Sequence, residues 1–283
     1  MPSDPNPMDQ AASHTQALHA LSRRSSGPML VALQSGTARS ARSQGKGISR
    51  ETRSHAHAQG QLICIDDGLM RIHTDRGSWV LQPGRAVWMP PHAPHGVSVY
   101  GVSTSWNVFI SPEAALVLPH EPCVLCVSDL ARALMMRAAS WTWQEELQPH
   151  QERLIAVLLD ELRQSDPSAM HLPLPSDRRL LRIANAILES PGVQRTLGEW
   201  AAWAGMSART VNRLFDAEVG MSFSHWRQQA MVIHALERLA LGEAVSVVAD
   251  SLGYASPSNF IAMFRRSFGQ SPMRYLSGGA KPG

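Results

Sequence analysis

The residue types best suited to bind a cation lie in two short segments of the chain. His55 and His57 are separated by one residue, Gln61 follows four positions later, and His95 lies in the second segment. Alternate residues of a strand point to one side of a sheet, so a histidine on a neighbouring strand can complete a three-nitrogen metal site. His55, His57 and His95 are therefore candidate contacts for a divalent metal ion or for a small organic ligand.

A second group of residues is suited to contact DNA bases. Arg209, Asn212 and Arg213 have the spacing i, i+3 and i+4, which places them on one face of a helix. Arginine can donate two hydrogen bonds to guanine, and asparagine can bond both polar atoms of the adenine edge. The spacing predicts base contacts in the major groove of double-stranded DNA, with an ordinary solvated helix face as the alternative.

A related group follows about 48 residues later, a distance measured from Gly205 to Gly253. Ser258 and Asn259 lie near the start of a predicted helix, where they can reach bases. The basic residues after them are better placed for phosphates, which give affinity without sequence information. These residues are Arg265, Arg266 and Arg274.

Both groups are predicted to lie on the second helix of a helix-turn-helix unit. In each unit a short helix precedes a glycine turn, and Ser207 or Ser256 then caps the longer helix. The longer helices are predicted over residues 208–218 and 257–268. Residues 222–241 form one continuous predicted helix, about 30 Å long. That length suits two recognition helices placed about 34 Å apart along B-DNA.

Several segments of this C-terminal region resemble the signature of AraC/XylS-type transcription regulators. They are LGEWAAWAGMS at 197–207, YASPSNF at 254–260, MFRRSFG at 263–269 and SPMRY at 271–275. The resemblance covers about residues 178–276 and implies a sequence-specific regulator that binds double-stranded promoter DNA. Relatives have a long polar residue at the position of Ala262, so we expect the second helix-turn-helix unit to read bases less well. They have a basic residue at the position of Met231, so we expect this chain to make one contact fewer with the DNA backbone.

The histidine segments resemble the two motifs of a cupin, a small β-barrel found at the sensing end of such regulators. This resemblance covers about residues 51–112. Gln61 stands where the cupin motif has glutamate, and His92 stands where it has glycine. A neutral amide is a poorer ligand than a carboxylate, so a metal site, an organic effector site and purely structural histidines all remain open.

The predicted fold class is α+β, an N-terminal cupin-like β-barrel followed by an all-α domain with two helix-turn-helix units joined by a long helix. The first region, 1–50, is expected to be a disordered basic tail without a strand. A strand-rich sensor domain follows, with one long run from Val97 to Ile110. The next region is a helical pair that forms a dimer face or packs on the barrel of the same chain. The expected divisions are 1–50, 51–120, 121–165, a linker at 166–177, and 178–277.

Apolar positions at helical spacing define two faces in this helical pair. The first face is expected to contain Leu130, Leu134, Ala138 and Trp141, and the second Leu154, Val157, Leu158 and Leu162. Four aromatic residues of the strand-rich region are candidates for lining an apolar pocket, with plain core packing as the alternative. They are Trp79, Trp88, Trp106 and Phe109.

Composition excludes several classes of protein. The 283 residues are 44% hydrophobic and 17% charged, without an apolar run of 18 residues, which predicts a globular protein with no membrane span. The net charge of +3 divides into +4 for residues 1–60, −5 for 61–171 and +4 for 172–283, and basic ends suit a nucleic-acid partner. Three cysteines are too few for a disulfide framework, which favours a reducing cytoplasm.

The leading interpretation is therefore a cytoplasmic transcription regulator with no catalytic residues, whose sensor domain binds an effector. RNA polymerase and a second copy of the chain are further expected partners. The alternative is a cupin metalloenzyme, such as a dioxygenase, with an accessory DNA-binding domain. Gln61 in place of a carboxylate argues against that alternative.

Overall fold

A computed structural model of the chain describes residues 28–36, 50–81, 83–102, 104–141, 146–165, 167–168 and 171–276. The chain divides into two compact units. The first unit extends to Ile72 and resumes from Leu81 to Met170. The second unit comprises His73–Val80 and the chain from His171 onward. The boundary therefore crosses one β-hairpin.

Two antiparallel sheets form the framework of the first unit. In the larger sheet the strand order is β1 (Leu30–Gly36), β8 (Thr104–Ile110), β3 (Gly60–Ile65), β6 (Arg85–Met89), β9 (Cys123–Cys126) and β10 (Pro167–Ser168). In the other sheet β4 (Leu69–Thr74), β7 (His95–Tyr100) and β2 (Arg50–His55) are neighbours. Every residue of β3 is buried, so this strand is central to the core.

The helices that the structure describes in the first unit cover one face of the larger sheet. They are α1 (Pro112–Ala115), α2 (Asp129–Ala138) and α3 (Pro149–Arg163). Their buried residues form one hydrophobic cluster with the sheet residues that face them, namely Leu62, Ala86, Trp88, Trp106, Val108 and Ile110. Strand residues alternate between faces, so Gln61, Asn107 and Phe109 point away from these helices. The helical pair thus packs on the larger sheet of its own chain, which agrees with one of the two predicted alternatives.

The residues that bury the helical faces differ in part from the expected ones. Leu134, Ala138, Leu158 and Leu162 are buried as predicted. Leu130 and Val157 are instead exposed, at 49% and 42%. The buried face of α2 is completed by Ala131 and Met135, and that of α3 by Ile155. Trp141 and Leu154, the remaining predicted members, are partly buried against the same cluster. The error in each helix is therefore confined to one residue at the edge of the apolar stripe.

Gly60 allows the ring of Trp88 to lie directly against the backbone of β3. A Cβ atom on Gly60 would overlap the six-membered ring of Trp88. That ring is fully buried, and its Nε1–H donates a hydrogen bond to the carbonyl oxygen of Pro119 at 2.8 Å. Neither the ring nor the strand can therefore move aside freely. The position admits no side chain without rearrangement of the sheet beside Gln61.

We expect Gly60→Ala to lower the free energy of unfolding of the first unit by about 1–3 kcal/mol, because an overpacked core displaces side chains or backbone. Chemical denaturation of the full chain, followed by fluorescence, measures the change. Gly84→Ala is a matched control for crowding, since no atom lies within 4 Å of its added Cβ. Because Gly84 has a φ of +83°, its substitution reports strain alone. A wild-type denaturation curve for Gly60→Ala would contradict the expectation.

The second unit is mainly helical. Its helices are α4 (Arg178–Glu189), α5 (Leu197–Trp203), α6 (Ala208–Val219), α7 (Phe223–Ala240), α8 (Val245–Ser251), α9 (Pro257–Phe268) and α10 (Pro272–Leu276). Two short strands accompany them: Gly77–Val80, within β5 (Gly77–Leu81), pairs antiparallel with β11 (His171–Pro173). Trp79 stacks on the His171 ring across this pair, with ring centroids 4.3 Å apart.

The predicted helix boundaries in the second unit are confirmed to within about two residues. Ser207 and Ser256 cap α6 and α9, and each hydroxyl accepts a hydrogen bond from the backbone N–H three residues later. Both helices end at a glycine in the left-handed region, Gly220 and Gly269. Helix α7 is continuous between them and buries nine of its residues, so it is the centre of this unit.

The predicted strandless tail is wrong in one segment. Residues 30–36 form β1, which pairs with β8 along its whole length. Leu30, Val31 and Ala32 are buried on both faces of the strand, so the alternation typical of a half-exposed strand is missing. The rest of the 1–50 prediction, at 1–27 and 37–49, lies outside the described residues.

Two further predictions need correction. The single strand expected over residues 97–110 is two strands, β7 and β8, because the chain turns at Gly101 with a φ of +62°. The linker expected at 166–177 contains β10 and β11, which pair with β9 and β5. Asp177 in the same segment caps α4 by accepting hydrogen bonds from two backbone N–H groups. This segment is therefore structural over much of its length.

Candidate functional site

Helix α6 separates a buried face from a polar face. Val211 and Phe215 are fully buried, whereas Arg209, Asn212 and Arg213 are all exposed. Among the described residues, no carboxylate forms an ion pair with either arginine. The polar side chains stay together on one face because the apolar residues between them anchor the helix on its other side. This face can present two guanidinium groups and one amide to a partner.

Helix α9 repeats the arrangement with smaller side chains. Phe260 and Phe264 are fully buried, and the opposite face exposes Ser258, Asn259 and Ala262. The arginines assigned to phosphates are exposed as well: Arg265 and Arg266 in the last turn of α9, and Arg274 in α10. This face is rich in positive charge and poor in groups that can form paired hydrogen bonds with a base.

In the first unit, the three predicted histidines meet at the end of the smaller sheet. His55 ends β2 and lies opposite His95, which begins β7. His57 lies in the loop after β2, yet its ring centroid is 5.2 Å from that of His95 and 5.8 Å from that of His55. One ring nitrogen of each histidine lies within 4.8 Å of those of the other two. The structure thus brings together all three residues, although His57 lies beyond the strand.

Backbone carbonyl groups orient all three rings in the same way. The Nδ1 atom of His55 lies 3.0 Å from the carbonyl oxygen of Arg53, and that of His57 lies 2.7 Å from the carbonyl oxygen of Gln59. The Nδ1 atom of His95 lies 2.9 Å from the carbonyl oxygen of Ala93. A carbonyl oxygen can only accept a hydrogen bond, so each Nδ1 donates one. In a neutral imidazole the lone pair is then on Nε2.

Gln61 directs an oxygen atom at two of these rings. Its Oε1 lies 3.0 Å from Nε2 of His57 and 3.1 Å from Nε2 of His95. Its amide nitrogen donates a hydrogen bond of 2.9 Å to Oδ1 of Asn107 on β8. Asn107 was not predicted from sequence as part of the site. The signal was available, since it is the amide in the otherwise apolar run Trp106 to Ile110.

The cluster is largely shielded from solvent. The exposed fractions of His57, Gln61 and His95 are 5%, 7% and 1%, and His55 is half-buried. Phe109 packs edge-on against the His57 ring, with centroids 5.6 Å apart. Burial lowers the pKa of His57 below its usual value and outweighs the opposing hydrogen bonds from Gln61 and Gln59. The environment therefore favours a neutral His57 ring.

His92 connects the two loops that carry His57 and His95. Its backbone N–H donates a hydrogen bond of 2.8 Å to the carbonyl oxygen of His57. Its φ is +63°, in the left-handed region that favours glycine. This conformation gives a physical reason for the glycine that the cupin motif has at this place. The imidazole of His92 is exposed, and it is not one of the three clustered ligand groups.

The four aromatic residues considered for an apolar pocket have different surroundings. Trp88 and Phe109 are core residues, and Trp79 stacks on His171 in the second unit. Trp106 does line a cavity of about 270 Å³ between the larger sheet and α2. Charged and polar groups also line it, including Arg85, Asp129, Arg132 and Cys64. This cavity lies on the helical side of the sheet, away from the histidine cluster.

Among the described residues, no helix combines the length and apolar content needed to cross a bilayer.

Two family models match the chain: "AraC-like ligand binding domain" over residues 39–110 and "Helix-turn-helix domain" over residues 200–278. The first match contains the histidine cluster. The second contains α6 and α9 with their exposed polar faces.

Two curated relatives are HTH-type transcriptional regulators, in agreement with the two family models. The HTH-type transcriptional regulator NimR of Escherichia coli (strain K12) is 36% identical over 223 residues, which are 79% of this chain and 81% of NimR. The HTH-type transcriptional regulator RipA of Corynebacterium glutamicum is 38% identical over 106 residues, covering 38% of this chain and 32% of RipA.

A solved structure of ToxT from Vibrio cholerae with a bound unsaturated fatty acid is also similar. It matches 89% of this chain and 97% of its own, at 10% identity and a TM-score of 0.36. The curated relatives are transcriptional regulators, not enzymes, so the metalloenzyme alternative has no support from them. The chain belongs to the AraC family of DNA-binding transcriptional regulators and carries the N-terminal ligand-binding domain of that family.

Proposed function

We propose that α5–α6 and α8–α9 are two helix-turn-helix pairs that bind successive major-groove segments of a promoter. We also propose that the first compact unit of the chain, which contains the two sheets, is a cupin-type barrel that senses an effector. The observation that carries the first part is the exposed polar face of α6. Arg209, Asn212 and Arg213 are held there by a buried opposite face and have no carboxylate partner among the described residues.

The connection between the two helix pairs supports simultaneous binding. Helix α7 has 18 residues and is therefore about 27 Å long at 1.5 Å per residue. Recognition helices that enter the same side of B-DNA in consecutive turns are about 34 Å apart. A helix of this length, with a short turn at each end, suits that separation. The arrangement gives an operator with two contacted segments centred about 10 base pairs apart.

The two segments are expected to contribute differently. The first helix-turn-helix, α5–α6, offers two arginines and an asparagine, which form bidentate contacts with guanine and adenine. The second offers Ser258, Asn259 and the methyl group of Ala262, and the nearby Arg265, Arg266 and Arg274 contact phosphates. The base-specific part of the operator is therefore assigned to α6. Helix α9 adds affinity and fixes the register.

A binding selection from random DNA with the purified full chain tests this assignment. We expect a selected motif with two conserved segments centred about 10 base pairs apart, of which one has the higher information content. Repeating the selection with Asn259→Ala should change only the weaker segment, and repeating it with Asn212→Ala should change only the stronger one. A motif with a single segment, or a stronger segment that responds to Asn259→Ala, would contradict the proposal.

A further inference from the structure

The cavity between the larger sheet and α2 has room for a small organic molecule. Its volume of about 270 Å³ equals the space of about nine water molecules at about 30 Å³ each, or of roughly ten non-hydrogen atoms. The residues that line it belong to β3, β6, β8 and α2 and to the short segments beside them, all within the first unit. Three neighbouring strands and a packed helix therefore form its walls.

One part of the cavity wall is apolar. Ile65, Trp106 and Met135 line the cavity, and all three are buried. The indole Nε1–H of Trp106 donates a hydrogen bond of 3.0 Å to Oδ2 of Asp66, so the rest of that side chain offers only carbon atoms. Burial raises the pKa of the Cys64 thiol to about 12, with a smaller contribution from Asp66, so this lining group stays uncharged. These surroundings suit an aromatic group, since tryptophan and methionine both make favourable contacts with aromatic rings.

Two arginines line the cavity, and they differ in their partners. Nη2 of Arg132 lies 2.6 Å from Oδ1 of Asp66, whose other oxygen accepts the hydrogen bond from Trp106, so one carboxylate balances this guanidinium group. Nη1 of Arg85 instead donates a hydrogen bond to Sγ of Cys126, and sulfur is a weak acceptor. Among the described residues, no carboxylate forms an ion pair with Arg85. Within that part of the chain, the charge of this half-buried guanidinium group is therefore uncompensated.

Asp129 adds a carboxylate to the cavity wall. It is the first residue of α2, where the helix dipole favours negative charge, and it is exposed to solvent. Its charge is therefore largely screened, whereas the charge of the half-buried Arg85 is screened less. Gly84, next to Arg85 in the chain, also lines the cavity and is exposed, so a ligand can enter from solvent there.

We propose that this cavity binds a small organic carboxylate, whose negative group pairs with Arg85 and whose apolar part contacts Trp106 and Met135. That this ligand is the effector of the first unit rests on the proposed function. A guanidinium group can donate two parallel hydrogen bonds to a carboxylate, which is a much better acceptor than the thiol of Cys126. Because the ligand lies between the sheet and α2, its binding stabilises the folded first unit.

Isothermal titration calorimetry of the tag-free full chain tests the site. The probes are phenylacetate, an aromatic carboxylate of a size that the cavity admits, and phenylacetamide, a neutral molecule of nearly the same shape. We expect one equivalent of phenylacetate to bind with a dissociation constant in or below the millimolar range, which is typical of so small a ligand. Phenylacetamide should bind more weakly by about 10-fold or more, because hydrogen bonds between charged groups are the stronger ones.

Two variants of lining residues should change the affinity for phenylacetate in opposite directions. Arg85→Gln removes the positive charge and should weaken binding by about 10-fold or more, which abolishes the preference for the carboxylate. Asp129→Asn removes a negative charge from an exposed position and should strengthen phenylacetate binding about 2- to 5-fold, with phenylacetamide unaffected. Arg137→Gln is the matched control, since Arg137 is an exposed arginine of α2 that does not line the cavity.

The results separate this inference from the proposed function. Absence of saturable phenylacetate binding to the folded wild-type chain would overturn the site, as would equal affinities for the carboxylate and the amide. Unchanged binding by Arg85→Gln, together with a loss in His57→Ala, would place the ligand on the other side of the sheet and also overturn it. Because Asp129→Asn predicts a gain, a general loss of structure cannot imitate the full pattern. Operator binding is measured without ligand on the same preparations, and its loss would count against the DNA-binding assignment alone.

Discussion

Alanine at Arg209 or Arg213 is expected to lower affinity for the selected operator by about 1–3 kcal/mol, which is roughly 5- to 150-fold for each substitution. Each arginine is exposed on α6, and neither forms an ion pair with a carboxylate of the described residues, so its removal takes away a DNA contact and little else. Fluorescence anisotropy with operator and random duplexes, at one fixed salt concentration, measures the change. Binding to random DNA should fall much less, so the specificity ratio also falls.

Arg265→Ala is the matched control for this pair of substitutions. Arg265 is an exposed arginine in the last turn of α9, and it is assigned to a phosphate. Its loss should weaken operator and random DNA to a similar extent and reduce the slope of log affinity against log salt by about 1. If Arg265→Ala changed the sequence preference and the α6 variants did not, the roles of the two helices would be reversed.

Trp226→Ala is expected to lower the free energy of unfolding of the second unit by about 3–5 kcal/mol. Trp226 lies on α7 and is fully buried. Its ring packs against Phe215 of α6 at a centroid distance of 5.6 Å, and its Nε1–H donates a hydrogen bond of 2.6 Å to the carbonyl oxygen of Pro173. Truncation therefore leaves a large cavity and a carbonyl group without its donor. Urea denaturation followed by helical circular dichroism measures the loss.

Two variants separate the causes of this destabilisation. Trp226→Phe retains a buried aromatic ring, but it removes the donor to Pro173 and part of the buried volume, so its cost should be smaller, about 1–3 kcal/mol. Trp203→Ala is the control for loss of an indole, since Trp203 is 42% exposed and its ring contacts Trp200 and the guanidinium groups of Arg182 and Arg195. Its cost should be below about 2 kcal/mol. A loss of less than 1 kcal/mol for Trp226→Ala would contradict the central role of α7.

Local signals predicted the helices of the second unit well. Ser207 and Ser256 were identifiable as caps, and Gly220 and Gly269 as ends, because capping depends on residue type and spacing within a few positions. The spacing of Arg209, Asn212 and Arg213 also predicted their common exposed face.

Features that depend on tertiary pairing were missed. Strand β2, ending at His55, is mostly polar, and it is a strand because it pairs with β7. The sequence contains the three histidines, but the orientation of each ring depends on a carbonyl group whose direction is set by the loop. Gln61 was judged a poorer ligand on residue type alone. Its hydrogen bond to Asn107, 46 positions later, becomes evident only when β3 and β8 lie side by side.

The hairpin that crosses the unit boundary has a consequence for how this protein can be rearranged. Because residues 73–80 belong to the second unit, that unit is not one continuous stretch of chain. A chimera that exchanges only the part after Met170 would carry β11 to its new host without the β5 residues that pair with it, and His171 would arrive without Trp79. Recombination between relatives at this one junction must therefore preserve the sequence of a hairpin nearly a hundred residues upstream.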